Sequence, residues 1–311
     1  MTLTQLEYIV ALDTYRHFVQ ASEACFVTQP TLSMQIQKLE EELGVKIFDR
    51  TKQPVIPTEM GISIIAQARV ILLEANRVQQ IINDQKDTMT GELRIGIIPT
   101  LAPYLLPPLF KHMREKYPQL HLIIKETITE EVISELKNNR LDCGLVVTPL
   151  NDSSIKEDIL FYEELFVYVS RKNALYDKKY VLANDIDPDQ LWLLEEGHCF
   201  RSQVLNLCEL RKRSDFHFKY ETGNIETLKR MVDKSDGITI LPELAVMEFT
   251  KPQMKLVKRL KDPSPAREVS LVTHRDHIKT KHIKTLKEEI LSIVPKQMQK
   301  LQNKKVVEIN Y

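Results

Sequence analysis

The hydrophobic period of this chain changes once, and that change limits what it can fold into. Up to about residue 87, apolar residues recur at three- and four-residue steps. From Glu92 onward, short apolar runs alternate with helical patterns. Two periods require two separately built cores, and 311 residues suffice for two or three domains without disulfide support. The run Thr88-Met89-Thr90-Gly91 reads as the hinge between the regimes.

Within the first regime, Leu6, Ile9 and Val10 form one amphipathic stripe, and Phe18, Ala21 and Ala24 a second. Thr28-Gln29-Pro30-Thr31 has the form of a helix start. Thr28 can act as the cap, and Pro30 falls in the first turn, where a missing N–H costs nothing. Leu32, Ile36, Leu39 and Leu43 then repeat at helical spacing until Gly44 supplies a stop. Two helices joined by so short a turn predict a helix-turn-helix. Residues 45–58, with Val45, Ile47, Val55 and Ile56 around Arg50, Lys52 and Pro54, suit a small β-wing. Residues 59–85 read as one long helix. Ile64, Ile71 and Val78 are spaced by seven, with Ala68, Ala75 and Ile82 four residues after each. That heptad suits pairing with a second copy, although a helix buried within one chain gives a similar pattern.

The second regime predicts strands over 93–98, 120–125, 142–147, 165–170, 192–195, 218–221, 238–241 and 269–273. Helices are expected over 101–117, 130–138, 225–232, from about Leu244, and over 278–293. Such alternation implies a parallel α/β sheet. The last strand and helix read as returning to the first set, giving two lobes with a ligand cleft between them. The expected domains are a helix-turn-helix head over 1–58, a linker or dimerisation helix over 59–87, a first lobe over 88–162 and 268–311, and a second over 163–267.

The net charge is zero. Residues 1–58 carry five Lys/Arg against seven Asp/Glu, a weak footprint for nucleic acid. A DNA-binding head of this kind must use a few well-placed cations and backbone amides, and work as an oligomer. Thr31, Ser33 and Gln37 lie off the apolar stripe of the second helix and Gln29 stands at its start, so these can face base edges. Thr28 with the helix N-terminus, Lys38, Arg50 and Lys52 can hold phosphates. The bland alternative is a solvated helix face. No basic-then-apolar leader opens the sequence, and no apolar run approaches the roughly 20 residues that span a bilayer. A cytoplasmic protein without membrane contact is therefore expected.

Four cysteines (Cys25, Cys143, Cys199, Cys208) are too few and scattered for a disulfide framework or a four-ligand zinc site. His112, His121, His217, His274, His277 and His282 show no metal-ligand grouping, so neither metal nor cofactor is expected. Cys25 and Cys143 read as small apolar fillers. Cys199 and Cys208 stand nine residues apart, with His198 and Arg201 beside the first sulfur. Two unrelated buried thiols would give the same spacing. In a reducing compartment, however, such a pair is a candidate redox switch, with His198 or Arg201 lowering the Cys199 pKa. On one helix the two would stand roughly 13 Å apart at about 1.5 Å per residue. A disulfide allows no more than about 7 Å between Cα atoms. Bond formation would therefore require local unwinding.

The stretch Phe18-Val19-Gln20-Ala21-Ser22-Glu23-Ala24, then Thr28 through Glu40, then Leu43-Gly44-Val45-Lys46-Ile47-Phe48-Asp49-Arg50 and Thr58-Glu59-Met60-Gly61 resembles the winged helix-turn-helix of LysR-type transcriptional regulators. With the helix, hinge and two-lobe order, the likeness covers essentially the whole chain. It implies an α/β fold: an N-terminal winged helix-turn-helix, a linker helix and a two-lobed regulatory domain like type 2 periplasmic binding proteins. Leu194-Glu195-Glu196-Gly197-His198-Cys199 to Cys208 is similar to the sensing segment of the peroxide-responsive members. Pro99 through Pro107, Glu226-Thr227-Leu228 to Met231-Val232, and Gly237 through Pro242 extend that likeness.

The resemblance implies a peroxidatic Cys199, a resolving Cys208 joined to it by a reversible disulfide, and a peroxide pocket of Thr100, Thr129, His198 and Arg267. The implied partners are a double-stranded DNA operator, further copies in a dimer or tetramer, RNA polymerase, hydrogen peroxide and a cellular thiol reductant. The implied function is activation of oxidative-stress genes rather than enzymatic turnover. Two other readings stay open: a LysR-type regulator that binds a small anionic metabolite in the cleft, and a thiol peroxidase. A solute-binding protein shares the two lobes but lacks a helix-turn-helix.

Overall fold

The computed structural model describes residues 1–84, 89–208, 222–277 and 279–309. The chain divides into two units, Met1–Asp87 and Thr88–Tyr311. In the first, Thr2 and Gln5 close a reciprocal capping box that starts α1 (Leu3–Tyr15). Next come α2 (Phe18–Ala24), α3 (Gln29–Leu43), strands β1 (Phe48–Asp49) and β2 (Ile56–Pro57), and the long α4 (Glu59–Asp84). The two short strands pair antiparallel as the expected wing. Leu6, Ile9 and Leu12 of α1 meet Leu32, Ile36 and Leu39 of α3 in a core closed by Ile47, Phe48, Ile65 and Ala68. Gly44 ends α3 at φ +69°, a left-handed conformation that a side chain would strain.

Two expectations need correction here. The Thr28 hydroxyl does not cap α3; it bonds the Thr31 hydroxyl at 2.8 Å, its nearest polar neighbour one turn on. The α4 heptad stripe is also not all free for a second copy. Ala68 is buried, and Ile64 and Ile71 pack on the core of their own unit because α1 lies along the first half of α4. Val78, farther along, is exposed.

The second unit runs β3 (Gly91–Ile97), α5 (Ala102–Lys116), β4 (Leu120–Glu126), α6 (Thr129–Lys137), β5 (Cys143–Thr148), β6 (Ile155–Val169), β7 (Tyr180–Val181), β8 (Leu191–Trp192) and α7 (Cys199–Leu207). It continues with α8 (Ile225–Lys234), β9 (Ile238–Pro242), α9 (Glu243–Met247), α10 (Lys251–Met254), β10 (Val257–Leu260), β11 (Ser264–His274), α11 (Thr280–Ile293) and β12 (Lys304–Val306). Among the described residues the strand order is β4-β3-β5-β11-β6-β10-β7, with β12 beside β11, β9 beside β6 and β8 beside β9.

The sheet is mixed, where a parallel one was expected. β3 pairs parallel with β4 and β5, but β11 runs antiparallel to both β5 and β6. The reason is β6, a 15-residue strand of which only the end was expected. Its first part, Ile155–Glu164, pairs with β11, and its last part, Leu165–Val169, with β9. Polar Lys156, Glu157 and Asp158 hide that first part from an apolar-run reading. β6 and β11 thus carry the chain between the two lobes. The strand expected over 192–195 shrinks to Leu191–Trp192. The strand expected over 218–221, Thr88 of the hinge, Ile278 and the Ile82 side chain lie outside the described residues. Among those described, no helix is long and apolar enough to cross a membrane.

Candidate functional site

The β6–β11 register sets Arg267 directly opposite Glu163, the geometry in which cross-strand side chains meet. Both are fully buried, and Arg267 Nε donates to Glu163 Oε2 at 2.7 Å. The other Glu163 oxygen accepts the Leu244 amide at 2.8 Å. The far end of the guanidinium donates to the Thr100 hydroxyl at 2.7 Å and to the Thr100 carbonyl at 3.1 Å. It also lies over the Phe200 ring, 5.1 Å from the centroid. A buried cation is tolerable only when paired and hydrogen-bonded in this way.

Phe200 belongs to the first turn of α7, which begins at Cys199 with His198 as N-cap. Gly197 makes the turn into it at φ +90°, a conformation that favours glycine. Here a small cavity of about 10 Å³ is lined by Thr100, Thr129, His198 and Cys199, with Ile128 and Phe200 closing its sides. Thr129, at the start of α6, leans toward the sulfur and favours its thiolate. Its hydroxyl nevertheless completes no hydrogen bond and is buried unsatisfied.

The expectation of a lowered Cys199 pKa is overturned. Burial pushes the thiol up, outweighing the opposite pull of Arg267, Thr129 and the backbone amides at the α7 start. Arg201 takes no part: it donates to the Leu194 carbonyl at 2.8 Å, pinning the approach to α7. His198 is buried, with Nε2 3.5 Å from Glu195 Oε1. Gly223 packs against its ring so closely that an added Cβ would stand 2.9 Å from Nε2.

Thr100, Thr129 and His198 therefore line one cavity with Cys199, and Arg267 stands behind it on Thr100 and Phe200. Glu163 and Phe200 complete the arrangement and were not anticipated. One signal for Glu163 was available: a carboxylate between the apolar Phe161 and Leu165 on a strand has to find a buried partner.

Cys208 is the residue at which α7 ends. Both thiols are free and buried, and burial pushes the Cys208 pKa up to about 12. With α7 intact the pair is too far apart to bond, by the helical rise of about 1.5 Å per residue. Two side chains tie the helix to the end of the chain. Gln203 donates to the Val307 carbonyl at 3.3 Å and Asn206 to the Glu308 carbonyl at 2.8 Å.

In the first unit, Gln29, Pro30, Gln37, Lys38 and Lys52 are exposed with Thr28, and Thr31 and Ser33 are half-buried. Gln37 donates to Glu41 at 2.9 Å. Arg50, expected to hold a phosphate, is exposed and is also tied within its own unit. Its guanidinium bonds Glu40 Oε2 and Ser33 Oγ, each at 3.2 Å, and covers the Phe18 ring. Glu40, unanticipated because charges near a helix end usually face water, is buried and also accepts the Ile47 and Phe48 amides at 2.8 and 3.2 Å. One carboxylate thus fastens the wing to α3.

Residues 3–62 match the bacterial regulatory helix-turn-helix proteins of the lysR family, and residues 86–293 match the LysR substrate binding domain. A hydrogen peroxide-inducible genes activator of Haemophilus influenzae is 36% identical over 274 residues, covering 88% of this chain and 90% of the relative. The DNA-binding transcriptional dual regulator OxyR of Escherichia coli K12 is 36% identical over 273 residues, covering 88% and 89%. Among solved structures, a full-length OxyR variant from Pseudomonas aeruginosa superposes with a TM-score of 0.78 at 32% identity, covering 93% of this chain and 94% of that one. Reduced OxyR from Porphyromonas gingivalis gives 0.63 at 32% identity over 69% of this chain and all of its own.

Proposed function

The chain belongs to the LysR family of bacterial transcriptional regulators, and from that premise we propose that it activates oxidative-stress genes by sensing hydrogen peroxide at Cys199. The observation that carries this reading is the buried thiol facing an unsatisfied Thr129 hydroxyl across a cavity of about 10 Å³. A space of that order admits about one water. It is too small for an organic metabolite, which counts against a metabolite-sensing role for this pocket. Hydrogen peroxide, with two heavy atoms, needs only a slight yielding of the lining. Its oxygens can take the Thr129 hydroxyl, which otherwise lacks a partner, and share with the sulfur the amides at the start of α7. The names of the relatives, hydrogen peroxide-inducible genes activators, agree.

In this reading the Cys199 sulfur attacks one peroxide oxygen. The S–O bond forms as the O–O bond breaks, and the departing hydroxide leaves as water with the thiol proton. Arg267 and the amides at the α7 start stabilise the developing charge. The resulting sulfenic acid condenses with the Cys208 thiol, releasing a second water and forming the disulfide. Because α7 holds the two sulfurs apart, it unwinds in that step. The refolded edge of the second lobe alters contacts between copies and so the spacing of the DNA-reading heads. RNA polymerase is the downstream partner, and a cellular thiol reductant resets the switch. Residues 1–58 read the operator, 59–87 join copies and 163–267 carry the sensor.

The test pairs mass spectrometry after brief, low-dose peroxide with a footprint on operator DNA. A Cys199–Cys208 disulfide formed together with an altered footprint is expected. An unchanged footprint despite the disulfide, or no disulfide at low dose, overturns the proposal.

A further inference from the structure

We propose that Glu163 is a positioning residue for the peroxide reaction: it fixes the Arg267 guanidinium against Thr100 and Phe200 and holds its charge in check at Cys199. The inference rests on the peroxide reading of the site and adds a residue that touches neither sulfur nor peroxide.

Glu163 stands at a junction. Its strand, β6, passes from one lobe to the other, and Arg267 lies opposite on the second crossing strand, β11. One carboxylate oxygen takes Arg267 Nε at 2.7 Å, and the other takes the Leu244 amide of α9 at 2.8 Å. Arg267 in turn reaches Thr100, in the turn between β3 and α5, and the Phe200 ring in the first turn of the redox helix. A continuous buried chain therefore leads from α9 through both crossing strands to the peroxide pocket. A guanidinium has five donors in a rigid fork. Fixing Nε on Glu163 sets the plane of that fork and aims the terminal nitrogens at Thr100, whose side chain lines the pocket.

Charge is the second half of the inference. Arg267 and Glu163 are both fully buried, so their fields are poorly screened. The cation favours the Cys199 thiolate, and the carboxylate bonded to that guanidinium offsets part of its charge. The other titratable and charged groups around the thiol and the pair are His198 with Glu195 at the α7 start, and Tyr104 of α5. The Tyr104 hydroxyl donates to Glu226, which is itself paired with Lys229. Glu243 beside Leu244 faces Lys304. Each of the carboxylates has a partner, which leaves Glu163 as the group that balances Arg267.

The experiment follows alkylation of Cys199 by iodoacetamide against pH in the full reduced chain, read at the Cys199 peptide by mass spectrometry. Wild type, Glu163→Gln and the double variant Glu163→Gln/Arg267→Met are compared. Glutamine keeps the shape but leaves the guanidinium unbalanced. The alkylation midpoint is expected to fall by about one unit, roughly tenfold more thiolate at neutral pH. The double variant removes the cation as well, and its midpoint is expected above that of wild type. It also keeps a test available should the single variant fail to fold. Trapping of the sulfenic acid by dimedone in a Cys208→Ser background gives the second readout. Per thiolate, Glu163→Gln is expected to react more than tenfold slower, because an amide can accept only one of the two N–H groups that Glu163 accepts, and the fork is aimed at Thr100 less firmly.

A variant that only melts earlier, with wild-type midpoint and wild-type rate per thiolate, overturns the proposal, as does a midpoint order other than single below wild type below double. Alkylation involves no peroxide, so its outcome is independent of the peroxide reading. That reading fails separately if wild type traps no sulfenic acid.

Discussion

Replacing Thr129 by valine should make this protein more stable and less reactive at once. The Thr129 hydroxyl is buried without a hydrogen-bond partner, a condition that costs about 1–3 kcal/mol relative to an apolar group of the same shape. Valine is such a group, and at the first position of α6 both residues are β-branched with similar helix propensity. The gain expected from Thr129→Val is therefore about 1 kcal/mol, taken at the low end because a passing water can relieve the hydroxyl part of the time. For a unit the size of Thr88–Tyr311, that corresponds to a rise in Tm of about 2–4 °C. The same hydroxyl favours the Cys199 thiolate and, in the proposed reaction, bonds an oxygen whose charge grows. Losing one charge-assisted hydrogen bond of about 1.5–3 kcal/mol slows sulfenic acid formation about 10- to 150-fold. Calorimetry of the reduced chain reads the first effect, and rapid-mixing dimedone trapping in a Cys208→Ser background reads the second. A variant that melts lower, or one that reacts with peroxide at the wild-type rate, refutes the assignment of Thr129 as an unsatisfied peroxide ligand.

Three further outcomes are expected. Gln29→Ala, at an exposed position of the α3 start, should lose preference for operator over random DNA with little change in stability; equal preference in variant and wild type by anisotropy refutes it. Arg50→Ala should weaken binding by a similar factor on all sequences. It should also lower the melting point of the head, because buried Glu40 loses the nearer of its two cations, keeping Lys46 at 3.6 Å and two backbone amides. The cost is about 1–2 kcal/mol, below the 3–5 of a fully buried pair because Arg50 is partly in water. Part of the pH dependence of stability follows from Cys208, whose folded pKa of about 12 lies above its ordinary 9.0, with Cys143 and Cys199, also pushed up by burial, acting in the same sense. Above about pH 9 the unfolded thiol ionises and the folded one does not. The unfolded state then binds fewer protons, and stability falls with rising pH by up to about 1.4 kcal/mol per unit for each such thiol. Urea unfolding of the reduced chain at pH 8 and 10 checks this, and Cys208→Ala should flatten the slope.

The local elements of this chain were legible because their signals are local. Leu32, Ile36 and Leu39 spell out α3, Gly44 its end, and Val45 to Ile56 the wing. The pairings that give those elements function were not legible, since they join residues that only the fold brings together. Arg267 and Thr100 are 167 residues apart in sequence, and their contact depends on the register of β11 against β6. The resemblance named both residues, but nothing in their spacing did. Glu40 and Arg50 look like surface charges in a helical stripe and a loop, and only the burial of Glu40 under the wing shows otherwise. The thiol pKa failed for the same reason. Sequence shows the neighbours His198 and Arg201, whereas burial, the larger effect, belongs to the tertiary structure.

The two ends of α7 are held by interactions of different kinds, and this gives the proposed switch a direction. A nine-residue helix is shorter than the roughly 12–15 residues that persist alone in water, so packing and tethers must hold it. At its start, Phe200 is buried beneath a guanidinium that is itself fixed by Glu163 and Thr100. Pulling Phe200 from that anchor would forfeit a desolvated cation–π contact of about 2 kcal/mol and the burial of its ring, about 1.5–3 kcal/mol. At its end, Val204 and Cys208 are buried but no cation among the described residues anchors them, and Gln203 and Asn206 make two neutral hydrogen bonds to the carbonyls of Val307 and Glu308, each worth about 1 kcal/mol net. Unwinding therefore starts from the Cys208 end. Cys199 stays in its pocket while the resolving thiol travels to it, and the displaced structure emerges where α7 meets the end of the chain rather than at the site of the chemistry.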